Sequence, residues 1–260
     1  MNNTLPKSPS RMRAALASLS GVALDLVFPP HCLACGQALG RAGSGAFCAG
    51  CASKVNWIGA DRCTRCGEAV GQGRGAVPGC AACEAFPPVY VECSAAVAQY
   101  REPFRTLIVA LKFTGAVQAI PVLGKLLAER LASAGLLEGL NGPWALAPVP
   151  LYKRTLGERG FNQAEELARY VAKRVGLPVD AKLLKKVRPT PPQAMLGVVE
   201  RRENLRDAFS INAKRAAKYK TGGIILIDDV LTTCSTASEC ARTLHAAGIP
   251  RIRMAALARG

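Results

Sequence analysis

Eight of the eleven cysteines stand in four C-x-x-C pairs between Cys32 and Cys83. The pairs are Cys32/Cys35, Cys48/Cys51, Cys63/Cys66 and Cys80/Cys83, separated by twelve, eleven and thirteen residues. Two thiolates from one tight knuckle and two from a second close a tetrahedron around Zn²⁺. The spacing therefore predicts two structural zinc ions. Sequential sets (Cys32, Cys35, Cys48, Cys51 and Cys63, Cys66, Cys80, Cys83) are the simplest pairing, with interleaving open. Gly36 and Gly67 follow the first and third knuckles, where a turn favours positive φ. The stretches between knuckles carry few large apolar residues, so metal must supply their folding energy. Disulfides fit an intracellular chain poorly, and four recurring pairs are unlike a single redox dithiol.

A second group with chemical capacity lies in GGIILIDDVLTTCSTASECARTLHAAG, residues 222 to 248. Ile224 to Ile227 is an unbroken apolar run, the mark of a strand buried on both faces. Asp228 and Asp229 follow at its carboxyl end, then Thr232, Thr233, Cys234, Ser235 and Thr236. A helix comes next, burying Ala237, Cys240, Ala241 and Leu244. Ligands of open α/β sheets sit at the carboxyl ends of strands. The loop can wrap N–H groups and hydroxyls around an anion at the positive end of the helix. The carboxylates can accept from a ribose diol or hold Mg²⁺ through water. Phosphate at one end and diol at the other describe a ribose 5-phosphate moiety.

These groups need a frame to position them. Phe104, Leu107, Ile108 and Leu111 recur at helical spacing, giving a helix that ends near Lys112. Lys112 is then either a cation at a helix terminus or a ligand contact. Further helices are expected over 120–133 and 162–175, with a short buried strand from Trp144 to Val149. Strands alternating with helices mean an α/β fold with a mostly parallel sheet. Near the amino terminus, Leu16, Leu19, Ala23, Leu26 and Val27 fall near helical spacing and predict a short amphipathic helix within residues 1–28. That run is too short to span a bilayer, and nothing else is apolar enough, so a cytoplasmic protein is expected.

The chain resembles the ComF family, of the competence-associated ComFC/GntX type. The resemblance rests on the four C-x-x-C pairs, Leu111-Lys112-Phe113, PVPLYKRTLGERGFNQAEELAR from Pro148, RPTPPQAMLGVVERRENLRDAF from Arg188, and LIDDVLTTCSTASE from Leu226. It implies a double zinc ribbon (29–90) ahead of a type I phosphoribosyltransferase-like domain (91–260). It also implies phosphoribosyl pyrophosphate as ligand, with Mg²⁺. Asp228 and Asp229 would contact the ribose hydroxyls, and residues 232–236 would form the 5-phosphate loop. The loop after Val149, with Pro150, Leu151 and Lys153, resembles the pyrophosphate segment. Arg154, Arg159, Gly160, Phe161, Asn162 and Gln163 form its neighbouring signature. Arg188, Thr190, Gln193, Arg201 and Asn204 belong to a third, flap-like one. The family usually carries Gly where this chain has Cys234. If that position needs positive φ, a Cβ is strained there and phosphate binding weakens.

The formal net charge is +16, from 34 Lys and Arg against 18 Asp and Glu. Such an excess attracts phosphorylated ligands or nucleic acid. Two functions follow. One is a Mg²⁺-dependent transferase that moves a phosphoribosyl group to an acceptor. The other is a non-catalytic zinc-ribbon scaffold that binds single-stranded DNA or DNA-uptake proteins. Aromatic residues make up only 5% of the chain, too few to favour base stacking as the main mode of DNA binding.

Overall fold

A computed structural model describes residues 31–39, 47–85, 87–113, 117–190 and 204–260. The expected amino-terminal helix, Gln193 and Arg201 lie outside the described residues. Short elements come first: helix α1 (Ala49–Ala52), strands β1 (Arg62–Cys63) and β2 (Ala76–Val77), and helix α2 (Ala81–Ala85). They are followed by β3 (Cys93–Gln99), α3 (Phe104–Phe113), α4 (Ile120–Ser133), β4 (Trp144–Pro148), α5 (Lys153–Arg159) and α6 (Gln163–Val175). The remainder is β5 (Leu184–Lys186), β6 (Phe209–Ile211), α7 (Ala213–Ala216), β7 (Gly223–Leu231), α8 (Ser235–Ala246) and β8 (Arg251–Arg259).

The centre is a four-stranded, all-parallel sheet in the order β3-β8-β7-β4. Its strands are apolar on both faces because helices cover both. On one face Ile225, Ile227, Ala255 and Leu257 pack against α3, α4 and α6 through Leu107, Leu111, Leu127, Leu167 and Val171. On the other, Ile224, Leu226, Ile252 and Met254 pack against Ala237, Cys240 and Leu244 of α8. Cys63, Cys66 and Cys83 join this second core. The antiparallel pair β5–β6 brackets the 187–208 connection.

The free edge of β3 is covered by the cysteine-rich segment. The Ile58 N–H donates to Val97 O at 3.0 Å and the Gln99 N–H to Asn56 O at 2.8 Å. An edge paired in this way offers no template to another chain. Trp57 packs edge-on against Phe104, and Phe47 stacks on the same ring. Two buried arginines pin the junction: Arg130 donates to Gly59 O and Arg62 to Ala134 O.

Two local expectations change. The strand expected over 224–227 runs on to Leu231, because β8 is equally long and pairs with it as far as Leu231↔Arg259. The basic stretch after Val149, read as a loop, is helical from Lys153 to Arg159. Gly157 is tolerated there at a cost of about 1 kcal/mol, and Gly160 ends the helix at φ +81°.

Candidate functional site

The first cysteine group joins Cys32, Cys35, Cys48 and Cys51, and the second joins Cys63, Cys66, Cys80 and Cys83. Within each group the ligand atoms all lie within 4.8 Å of one another, which makes the pairing sequential. Sulfur separations of 3.8 Å (Cys35–Cys48), 3.7 Å (Cys63–Cys83) and 3.5 Å (Cys66–Cys80) match the edges of a tetrahedron with Zn–S bonds of about 2.3 Å. Each group combines two kinds of knuckle. One is a C-x-x-C-Gly turn whose glycine takes φ +73° (Gly36) or +76° (Gly67). The other is the start of a short helix, where the Ala52 N–H donates to Cys48 O and the Glu84 N–H to Cys80 O. The eight cysteines thus fit two structural zinc ions.

Beside the second group lies a buried cation that sequence reading missed. Arg259 is only 6% exposed, and its Nε lies 3.4 Å from Glu68 Oε2. Its Nε has no hydrogen-bond partner. A cation with a spare N–H suits the negative charge of a zinc tetrathiolate.

The second feature lies at the carboxyl end of the sheet. The β4 ladder stops at Pro148↔Ile227, so β7 has no β4 neighbour from Asp228 onward. Residues 149–153 leave the sheet at this point, where ligands of open α/β sheets sit. The start of that segment is held by Asn162, which donates to Val149 O at 3.1 Å while its Oδ1 caps α6 at the Ala164 N–H.

Consecutive strand residues project to opposite faces. Asp229 follows the Ile225–Ile227 face and is buried. Its Oδ2 lies 3.0 Å from Lys112 Nζ and accepts from Gln163 Nε2 at 3.0 Å. Lys112 thus meets the candidate site through Asp229. Gln163 in turn accepts from Arg159 at 2.7 Å, and the Arg159 guanidinium lies 5.4 Å from the Phe113 ring centre. Asp228 follows the Ile224–Leu226 face and accepts from the Asp229 N–H at 2.8 Å. It has no ion pair among the described residues. Burial first, and then the neighbouring Asp229 charge, push its carboxyl up to about 8. Lys186 is nearby on this face, donates to Thr190 Oγ1 at 2.8 Å, and has its ammonium pKa lowered, chiefly by burial.

The loop expected over 232–236 is shorter: residues 232–234 lead into α8, and Ser235 and Thr236 form its first turn. Thr233 and Ser235 hydroxyls lie 2.7 Å apart. Cys234 caps α8 at φ +55°, ψ +12°, and its thiol is buried. The position therefore does take the left-handed conformation that disfavours a Cβ. Arg259 donates to Leu231 O at 3.2 Å and also to Thr232 O, the two carbonyls that open this loop.

The predicted residues are not all drawn together. Asp228, Asp229 and residues 232–236 follow one another along β7 and the start of α8, and Pro150 and Leu151 come just after the end of β4. Lys153 is exposed on the first turn of α5. Arg154 is exposed and turned to Glu158 at 2.8 Å. Arg188 closes the base of the 187–208 connection by donating to Asn204 O and Arg206 O. Phe161 packs against the core.

Comparison with known proteins bears on both features. A double zinc ribbon domain family matches residues 23–85. Competence protein F of Haemophilus influenzae is 34% identical over 164 residues, 63% of this chain and 71% of its own length. DNA utilization protein YhgH of Salmonella typhi is 30% identical over 234 residues, 90% of this chain and 99% of its own. The Escherichia coli K12 protein of that name is 29% identical over 180 residues, 69% and 77% of the two chains.

Proposed function

The chain belongs to the family of competence protein F and DNA utilization protein YhgH, and from that premise we propose that its α/β unit binds a 5-phosphorylated ribose in the service of DNA uptake or use. Phosphoribosyl pyrophosphate with Mg²⁺ is the foremost candidate ligand. The observation that carries the reading is the order of parts along β7 and α8. Two carboxylates lie where the β4 ladder has ended, and a hydroxyl-bearing loop follows at the amino terminus of a twelve-residue helix. The helix end and the Thr232, Thr233, Ser235 and Thr236 hydroxyls suit a phosphate. The carboxylates suit a diol one sugar length away.

The two carboxylates take different parts. Lys112 pairs with Asp229 and Gln163 donates to it, so its carboxylate is fixed and acts as an oriented acceptor. Asp228 is the one that a hydrated Mg²⁺ or a ribose hydroxyl would engage, with the cation favouring loss of its proton. Mg²⁺ would supply charge neutralisation for a pyrophosphate. Arg159, braced by Gln163, is the cation of the basic segment best placed to assist it.

Calorimetric titration with phosphoribosyl pyrophosphate, with and without Mg²⁺, tests the reading. Binding that needs Mg²⁺ and disappears in Asp228→Asn supports it, and a wild type that binds neither this ligand nor ribose 5-phosphate refutes it. Pyrophosphate release on adding candidate acceptors separates a transferase from a binding module.

The net charge of +16 favours a second reading, a scaffold on single-stranded DNA. Anisotropy titrations over a salt series address it. Affinity that falls steeply with salt and survives Asp228→Asn would move the main function to the polyanion surface.

A further inference from the structure

We propose that Arg259 is a positioning residue that makes the second zinc centre a working part of the ligand site. Through it, metal at Cys63, Cys66, Cys80 and Cys83 sets the geometry of the loop at 232–234. The proposal rests on reading that loop as the phosphate site.

Arg259 sits at the end of β8, opposite Leu231 in the ladder, with a buried side chain. One side of its guanidinium meets the zinc knuckle at Glu68 Oε2, 3.4 Å from Nε. Glu68 is itself fixed by the knuckle, since the Cys63 N–H donates to Glu68 O at 2.8 Å. The other side donates to Leu231 O and Thr232 O. A guanidinium is planar and rigid, so its two sides cannot move independently. A peptide unit is also planar, with C=O and N–H pointing oppositely. Leu231 O is also held by the Gly260 N–H at 2.8 Å, so what Arg259 adds is the hold on Thr232 O, and with it the orientation of the Thr233 N–H in the loop.

The Cys234 thiol adds a second link. It is buried in the same core cluster as Cys63, Cys66 and Cys83. The residue in the left-handed conformation thus shares its packing with the metal centre. Losing the metal frees both knuckles, removes the brace behind Arg259 and releases the loop. Among the described residues the first centre has no such arginine: Cys35 is exposed, and its unit packs on the α/β body through Leu33, Ala34 and Phe47.

The test compares wild type, Arg259→Gln, Cys66→Ser and Cys35→Ser. Amide hydrogen exchange is followed over residues 231–238, and affinity is measured for ribose 5-phosphate. Arg259→Gln is expected to keep two zinc ions, exchange faster over 231–238 alone, and bind about tenfold more weakly, a typical coupling between sites. Cys66→Ser should reproduce this loss, and Cys35→Ser should not. Coupling is reciprocal. Saturating ribose 5-phosphate should therefore raise the zinc affinity of the second centre in wild type, measured against a chromophoric chelator, and leave it unchanged in Arg259→Gln. A bystander arginine that only aids stability would not move that readout. Unchanged loop exchange in Arg259→Gln overturns the proposal. If wild type binds no ribose 5-phosphate, the ligand reading fails, and exchange alone then decides whether the centre controls the loop.

Discussion

The two zinc centres are written in the same cysteine spacing but occupy different environments. In the first, Cys35 is exposed and Cys48 and Cys51 are half-exposed. In the second, Cys63, Cys66 and Cys83 are buried in the core that also holds Ile224, Leu226 and Leu244. The knuckle glycines record the difference. A Cβ on Gly36 would meet nothing within 4 Å, whereas one on Gly67 would sit 3.4 Å from the backbone of Ala95 and Ala96 in β3. Both glycines take positive φ for the turn, but only Gly67 also permits a strand to lie against it. The Ser94 N–H donates to Thr64 O at 2.7 Å across that contact. Ligand spacing specifies a metal site. What packs on the knuckle decides whether the site is an appendage or a part of the core.

The largest expected effect is on the second centre. Cys66→Ser should lower zinc content from two to one per chain and cost at least about 3 kcal/mol of stability, as for breaking a buried charged site. Cys35→Ser should also lose one zinc, with a much smaller shift in thermal midpoint. Equal shifts in the two variants would erase the contrast.

A comparable cost is expected across the sheet at Asp229. Asp229→Asn leaves Lys112 facing a neutral amide, at about 3 kcal/mol by denaturant unfolding. Adding Lys112→Met should recover much of that stability without restoring ligand binding. If the single variant is as stable as wild type, Lys112 does not depend on Asp229.

A smaller, opposite change is expected where the loop leans on the second centre. Cys234→Gly should relieve the left-handed strain, raising stability by about 1 kcal/mol less the packing lost with the thiol. It should also tighten phosphorylated-ribose binding. Equal affinity for the two proteins would remove strain as the reason for weak binding.

The last contrast is a pH dependence from Asp228. Its folded carboxyl is raised to about 8, above the usual carboxylate value. The folded state therefore binds the extra proton, and this group makes stability fall as pH rises from about 4 to about 8. Binding that requires the carboxylate runs the other way. Affinity for Mg²⁺ with phosphoribosyl pyrophosphate should rise between pH 6 and 8 in wild type, and Asp228→Asn should flatten the profile.

What was legible in the sequence was local. The cysteine pairs, the periodic helices at Phe104 and Gln163, and the apolar run into Asp228 all announce themselves within a short window. Lys112 illustrates the limit. Its place at a helix end was readable, but its partner Asp229 comes from a distant strand. Arg259 was invisible for the same reason, since its meaning lies in Glu68 and Leu231, which only the folded sheet brings to it. The helix at 153–159 was hidden by two glycines, one merely tolerated and one a terminator. Pairing of the cysteine knuckles needed coordinates, because spacing alone also allows interleaving.

The strand order carries a consequence for synthesis. Strand β3, on which the second zinc knuckle rests, finds its sheet partner only in β8, over 150 residues later in the chain. The ribosome therefore releases a metal-binding segment long before the surface it docks on exists. Zinc loading can precede sheet formation, and the first centre can finish as an independent unit. The second centre, the β3 edge and the 232–234 loop must all await the same late strand, and they should consolidate in one slow, long-range step.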